Sequence, residues 1–171
     1  MNTDMTIKLA TPDDAAPLIE MFRALYQESE FLLLEAGEFK STPEEQENLI
    51  KANSSSDTNV LFVAVKNKNI IGFIGGTGGK FNRNRHSINI AMGVLGEYQR
   101  QGIGRSLLKA LINWAKSHQF KRIELSVIEN NIKAKALYEA FGFEVEGLKQ
   151  NSLIIDGKLT NEYYMAKYIE A

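Results

Sequence analysis

The chain of 171 residues contains no cysteine. That excludes disulfides, thiolate metal sites and a cysteine nucleophile. Histidine is scarce: His86 and His118 are the only two, too few for a histidine-based centre, so no metal is expected. No apolar run approaches the ~20 residues that span a bilayer. The first residues, Met1-Asn2-Thr3-Asp4-Met5-Thr6, are polar and lack the apolar core of a signal peptide. Neither sign of charge is in excess. The 20 Lys+Arg against 21 Asp+Glu leave a net charge of −1, so no basic field points to nucleic acid or an anionic membrane. Repeats, linkers and low-complexity segments are missing as well. What remains is a 44% hydrophobic composition of ordinary soluble type. It is long enough for a full core and reads as one domain over residues 1–171, cytoplasmic by default.

Hydrophobic periodicity supplies the elements. Thr6 to Ala10 alternates as a short strand. Thr11-Pro12-Asp13-Asp14 starts a helix, with a capping threonine, proline at the first position and acids in the first turn. Its stripe Ala15, Leu18, Ile19, Phe22, Leu25 and Tyr26 runs to about Gln27. Ser41-Thr42-Pro43-Glu44-Glu45 starts a second helix by the same chemistry. Val60–Val65 and Ile70–Gly75 form a hairpin, and the glycines from Gly75 to Gly79 predict a bend or bulge. Then come strand Ser87–Val94, a helix to Ser117, strand Arg122–Val127, helix Asn131–Ala140 and strand Phe143–Gly147. Two short strands close the chain, Ser152–Asp156 and Tyr163–Tyr168. This order predicts an α/β (mixed α+β) fold, a mixed sheet with helices on both faces.

The chemistry concentrates between strand Ser87–Val94 and the next helix. Gln99-Arg100-Gln101-Gly102-Ile103-Gly104-Arg105-Ser106 places two glycines at a strand-to-helix turn. There the backbone can approach a ligand, and free N–H groups at a helix N-terminus favour phosphate. A dinucleotide fold would need a third glycine where Leu107 stands, and the P-loop pattern is absent. A tight packing turn is the plain alternative. A second segment follows strand Arg122–Val127: Asn131-Ile132-Lys133-Ala134-Lys135-Ala136-Leu137-Tyr138, closing on Phe141-Gly142-Phe143.

Together, Gln-x-x-Gly-x-Gly and Asn-x-x-Ala-x-x-Leu-Tyr-x-x-x-Gly-Phe resemble the GCN5-related N-acetyltransferase (GNAT) family, in its order and near its spacing. The resemblance implies a mostly antiparallel twisted sheet and acetyl-CoA as cosubstrate. The matching coenzyme positions are Met92, Gly93, Val94, Gln99, Arg100, Gln101, Gly102, Ile103, Gly104, Arg105, Ser106, Asn131 and Tyr138. Backbone groups of Met92 to Val94 would polarise the thioester, with Gly93 compatible with a bulge. Asn131 would touch the pantetheine or phosphates, or serve as a plain helix cap. Tyr138 would donate a proton to the leaving thiolate; otherwise it is a core tyrosine.

The resemblance implies transfer to an amine, directly in a ternary complex because no cysteine can carry the acyl group. A non-catalytic acyl-CoA sensor is the alternative, and a hydroxyl acceptor a third. Some family members carry a glutamate as base where this chain has Ser126; Glu124, Glu97, Glu129 and His86 are other candidates, each more simply a surface charge or a strand-end histidine, and no base is needed if the amine is already neutral or loses its proton through water. In the family the acceptor is bordered by the segments matching Glu28 to Lys40 and Lys149 to Glu162. The glutamates around Phe31 to Leu34, Glu30 and Glu35 above all, suggest a cationic amine. A homodimer is left open.

Overall fold

The structure, a computed structural model, describes residues 5–170; the reading of the amino-terminal residues falls largely outside them. A seven-stranded sheet forms the middle layer. Its strands are β1 (Met5–Leu9), β2 (Asn59–Lys66), β3 (Asn69–Gly78), β4 (Ser87–Val94), β5 (Arg122–Ile128), β6 (Glu144–Ile155) and β7 (Lys158–Tyr168). Their order across the sheet is β1-β2-β3-β4-β5-β7-β6. Only β4 and β5 run parallel, because a helix crosses between them. The helices are α1 (Ala15–Glu28), α2 (Pro43–Ser54), α3 (Ile103–Ser117) and α4 (Ile132–Ala140).

Local chemistry sets the element ends. Thr42 and Glu45 close a capping box at α2, with Glu45 N–H donating to Thr42 Oγ1 at 3.2 Å and Thr42 N–H to Glu45 Oε2 at 2.9 Å. Before α1 the chain makes a 3-10 turn, Pro12–Asp14. There the Asp14 carboxylate accepts from Thr11 N–H at 2.7 Å and pairs with Lys8 at 2.6 Å. The hairpins β2–β3 and β6–β7 turn through left-handed pairs, Asn67-Lys68 and Asp156-Gly157.

Two hydrophobic clusters sandwich the sheet. α3 lays Ile103, Leu107, Leu108, Leu111 and Ala115 on Ile74, Ile88, Ile90, Ile123 and Leu125. On the other face α1 lays Leu18, Phe22 and Leu25 on Leu61, Val63 and Phe73. Alternation along each strand decides which side chain meets which layer. In β4, Ile88, Ile90, Met92 and Val94 face α3, so Ser87, Asn89, Ala91 and Gly93 face the other way. In β5, Ile123, Leu125 and Val127 face the helices; Glu124 and Ser126 look away.

Three expectations are corrected. The carboxy-terminal half has one long strand, β6, where two were expected; irregularities at Val145/Gly147 and Lys149/Leu153 break its alternation, which reads as two short strands. Gly75 to Gly79 makes no bulge. The register shift lies at Ala64/Val65, facing the Ile70–Gly72 end of β3. Glycine is needed at Gly76 because a Cβ there would come 2.6 Å from the Ile88 side chain. Gly93 is not bulged either, since Phe73–Gly93 and its neighbouring rungs run in unbroken register. Leu25 of α1 lies where a Gly93 Cβ would be, at 2.5 Å, so this glycine lets the helix sit on the strand.

Among the described residues, no helix is long and apolar enough to cross a membrane, and no group of three His, Asp or Glu could hold a metal ion.

Candidate active site

β4 and β5 share only three rungs, Ser87–Arg122, Ile88–Ile123 and Asn89–Glu124. Beyond them the strands part. β4 stays paired to β3 as far as Val94, and β5 stays paired to β7 as far as Ile128. The facing edges of Ile90–Val94 and Leu125–Ile128 therefore have no strand partner, and their backbone groups can pair with a peptide-like chain lying in the opening. Met92, Gly93 and Val94 all border it.

At the wide end of the opening lies the turn. Gly102 caps α3 with φ +79, a left-handed conformation, and Arg100 is left-handed at φ +60. No side chain caps the helix, and its first backbone bond runs from Ser106 N–H to Gly102 C=O. The N–H groups of Ile103, Gly104 and Arg105 are thus left for a ligand at the positive end of a 15-residue helix. Side chains brace this loop. Gln99 Nε2 donates to Val94 O, Gln101 Nε2 donates to Glu97 O, both at 3.1 Å, and Ser106 Oγ donates to Gly102 O at 3.1 Å.

The two glycines do different jobs. Gly102 supplies the backbone conformation, and a Cβ on it would meet nothing. Gly104 is ordinary helix; a Cβ on it would come 3.3 Å from Leu137 of α4 and 3.7 Å from Met92 of β4. It lets α4 and the central strand close on α3.

Cations gather at this end. The Arg105 guanidinium lies over the Phe141 ring at 5.2 Å. Lys66, at the end of β2, donates to Gln101 Oε1 at 3.0 Å and lies over the Tyr98 ring. Sequence reasoning missed Lys66, since only the sheet register brings residue 66 beside residue 101. It also missed the role of Glu28, whose carboxylate accepts from Gly96 N–H at 2.5 Å and ties the end of α1 to the chain leaving β4.

α4 delivers the second motif. Asn131 caps it, Oδ1 accepting from Ala134 N–H at 3.2 Å, which leaves the amide nitrogen for a ligand. Tyr138 is 7% exposed and packs on Phe143. Burial pushes its phenol up to about 12, so it is protonated at any working pH. Among the described residues, the buried side-chain oxygens without a partner are those of Ser87 and Ser152; the Tyr138 hydroxyl is not one of them.

The candidate bases lie unequally. Ser126 is exposed on the face away from α4. Glu124 is held by Arg122 Nε at 2.6 Å. Glu129 accepts from Asn161 Nδ2 at 3.0 Å. His86 borders a polar groove of about 400 Å³ before β4, beside Asn89, Arg122 and Glu124. It is roughly 20 Å along the strand from Met92–Val94. The parted segments themselves carry no carboxylate. Glu30 and Glu35 lie exposed between α1 and α2, and Glu35 N–H donates to Glu38 at 2.8 Å. Of the apolar patch, Leu32 joins the α1 cluster while Phe31 and Leu33 are exposed.

A parted parallel pair and an uncapped helix N-terminus thus lie together at one end of the sheet. The chain belongs to the acetyltransferase (GNAT) family, whose model matches residues 19–143. It is 51% identical over 51 residues to a spermine/spermidine N(1)-acetyltransferase of Bacillus subtilis (strain 168). That match covers 29% of this chain and 34% of the relative, so the chain spans about a third of that protein's length. A GNAT-family acetyltransferase structure from Streptococcus pneumoniae superposes with TM-score 0.94 at 29% identity, covering 98% of this chain and 100% of that one. A structure from Salmonella typhimurium, described with its cofactor acetyl-CoA, superposes at TM-score 0.86 and 18% identity. It covers 97% of this chain and 94% of that one.

Proposed function

We propose that the protein transfers an acetyl group from acetyl-CoA to a cationic primary amine, directly between the two bound substrates. The observation that carries this reading is the parting of β4 from β5 beside the uncapped N-terminus of α3. The residues fit the coenzyme. The amides of Ile103 to Arg105 suit the pyrophosphate, with Arg100, Arg105 and Lys66 adding charge. The free edge of Met92 to Val94 suits the pantetheine amides, and an N–H of that edge would stabilise charge developing on the thioester oxygen.

The amine nitrogen bonds to the acetyl carbon, the carbon–sulfur bond breaks, and the thiolate leaves. Tyr138 serves as hydrogen-bond donor to that sulfur. Burial raises the phenol to about 12, so it is held as a donor and gives up its proton reluctantly. Its contribution is stabilisation of the departing thiolate, whose proton comes from water or the amine. No carboxylate on the parted strands competes for the role of base, so the amine reacts in its neutral form.

The polyamine enzyme among the relatives supports a cationic acceptor. The test is release of free CoA from acetyl-CoA with and without a panel of amines, read with a thiol-reactive dye that this cysteine-free chain cannot quench. Release with primary amines is expected. Coenzyme binding without release to any amine would make the protein a sensor, and release only with alcohols would move the acceptor to oxygen.

A further inference from the structure

The sheet face away from α3 and α4 is left uncovered past β4. There α1 ends at Glu28, and Ala91 of β4 and Ser126 of β5 are exposed. Register places the side chains beyond them. Ser126 pairs with Tyr164 and Ile128 with Glu162 across β5–β7, and Glu162 pairs in turn with Lys149 of β6. Tyr163 and Met165 join the core on the α3 side, so Glu162 and Tyr164 project onto the uncovered face.

Glu162 is unusual there. Its side chain is only 13% exposed, yet among the described residues its carboxylate has one polar partner, Lys149 Nζ at 3.2 Å. Glu146, on the same part of the sheet, is far better satisfied. Glu146 takes two bonds from Arg122, at 2.8 and 2.5 Å, and one from Tyr168 at 2.5 Å; Glu124 is held by Arg122 Nε. A largely buried carboxylate with one long ion pair has acceptor capacity to spare. Lys149 also lies over the Tyr164 ring at 5.2 Å, so the protein already keeps an ammonium between this carboxylate and this ring.

We propose that Glu162 and the Tyr164 ring form the subsite for a second, non-reacting ammonium of a di- or polyamine acceptor, with Lys149 as the resident cation that the substrate displaces. The inference rests on the acetyl-transfer reading above. The placement separates the two nitrogens. The reacting amine must lose its charge and reach the β4–β5 opening. Glu162 stands one strand further out, diagonal to Ser126 by about 7–8 Å, where a charge can be kept. A monoamine filling the opening gains nothing from Glu162. Lys149 keeps the subsite neutral when empty and competes with the substrate when it arrives.

The competition makes the two partners act in opposite directions. Spermidine and butylamine, which share a primary amine on a four-carbon chain, are compared with saturating acetyl-CoA. Wild type should prefer spermidine. Glu162→Gln should lower kcat/KM for spermidine tenfold or more and change that for butylamine less than twofold. Lys149→Met should lower KM for spermidine, because the competitor is gone. Both variants should keep the acetyl-CoA-induced rise in melting temperature, which reports an intact fold. An unchanged spermidine-to-butylamine ratio in Glu162→Gln overturns the subsite, as does Lys149→Met raising KM for both amines, the pattern of a merely structural ion pair. Wild type that acetylates both amines without preference overturns the subsite and leaves acetyl transfer standing. Wild type that releases CoA with neither amine nor any other overturns both.

Discussion

The two faces of the sheet are built to different ends. Toward α3 and α4 it is covered from β1 to β7, and one cluster joins Ile7 at one side to Met165 at the other. Toward α1 and α2 only the β2–β3 side is covered, by Leu18, Phe22 and Leu25, and beyond β4 the face carries Ser126, Glu162, Tyr164 and the Arg122–Glu124–Glu146 cluster. The covered face can anchor the parted strands because β4 and β5 hold on through α3 after their shared rungs stop. On the function proposed above, the uncovered face is the side that receives the acceptor. The direction a strand residue points thus decides whether it joins the packed core or the uncovered face.

The sharpest way to break this division is to cut one side chain from each face. Leu111→Ala, at a fully buried position, should cost about 2–5 kcal/mol in denaturant unfolding. Tyr164→Ser, half exposed, should cost under about 1 kcal/mol and act instead on the amine KM. Equal losses would mean the open face belongs to the folding core.

Acetyl-CoA should stabilise the protein by ~2.7 kcal/mol at a hundredfold excess over its Kd. For a domain of this size that is a shift of about 5–10 °C in Tm. No shift with acetyl-CoA, alongside a shift with other nucleotides, would remove the coenzyme from the turn.

Within the turn, Gly102→Val should weaken coenzyme binding at least tenfold by calorimetry, because a β-branched residue cannot hold φ +79 without strain. Gly104→Ala should be milder, asking Leu137 to move a few tenths of an ångström. If Gly104→Ala harms binding more than Gly102→Val, the roles of the two glycines are reversed.

The smallest effect is expected at Tyr138. Replacement by Phe should lower kcat about tenfold or less, with coenzyme affinity kept, since only a hydrogen bond to the leaving sulfur is lost. The phenol is raised to about 12, so the donor is present throughout neutral pH and lost only as pH climbs toward that value. A fall in kcat centred near pH 9 that disappears in Tyr138→Phe would show a much more acidic phenol than burial dictates.

Spacing carried much of this into the sequence. Gln99 to Arg105 announce a strand-to-helix turn with free amides, because such a helix start needs only glycines and a preceding strand. Asn131 announces its cap, since the capping bond spans three residues. The strand Ser87–Val94 stands where alternation puts it. Such features depend on neighbours in the chain, so composition and period suffice to read them.

What lies between distant segments was settled by tertiary structure alone. Gly93 reads as a bulge until Leu25, 68 residues earlier, is seen resting on it. Gly104 reads as a turn glycine until Leu137 is found against it. Lys66 joins the glycine turn through sheet register, and Glu162 meets Lys149 across a β6 whose irregularities hide its face. Glu30 and Glu35 crowd one loop in the sequence and lie exposed on that loop in the fold. A charge near a site in sequence is worth little until packing aims and partly buries it. The chain by itself determined its family, most of its elements and the glycine turn that opens α3. Where the sheet opens, and which carboxylate stands on the uncovered face beside that opening, depended on how strands far apart in sequence pair, because only pairing sets the face to which each side chain points.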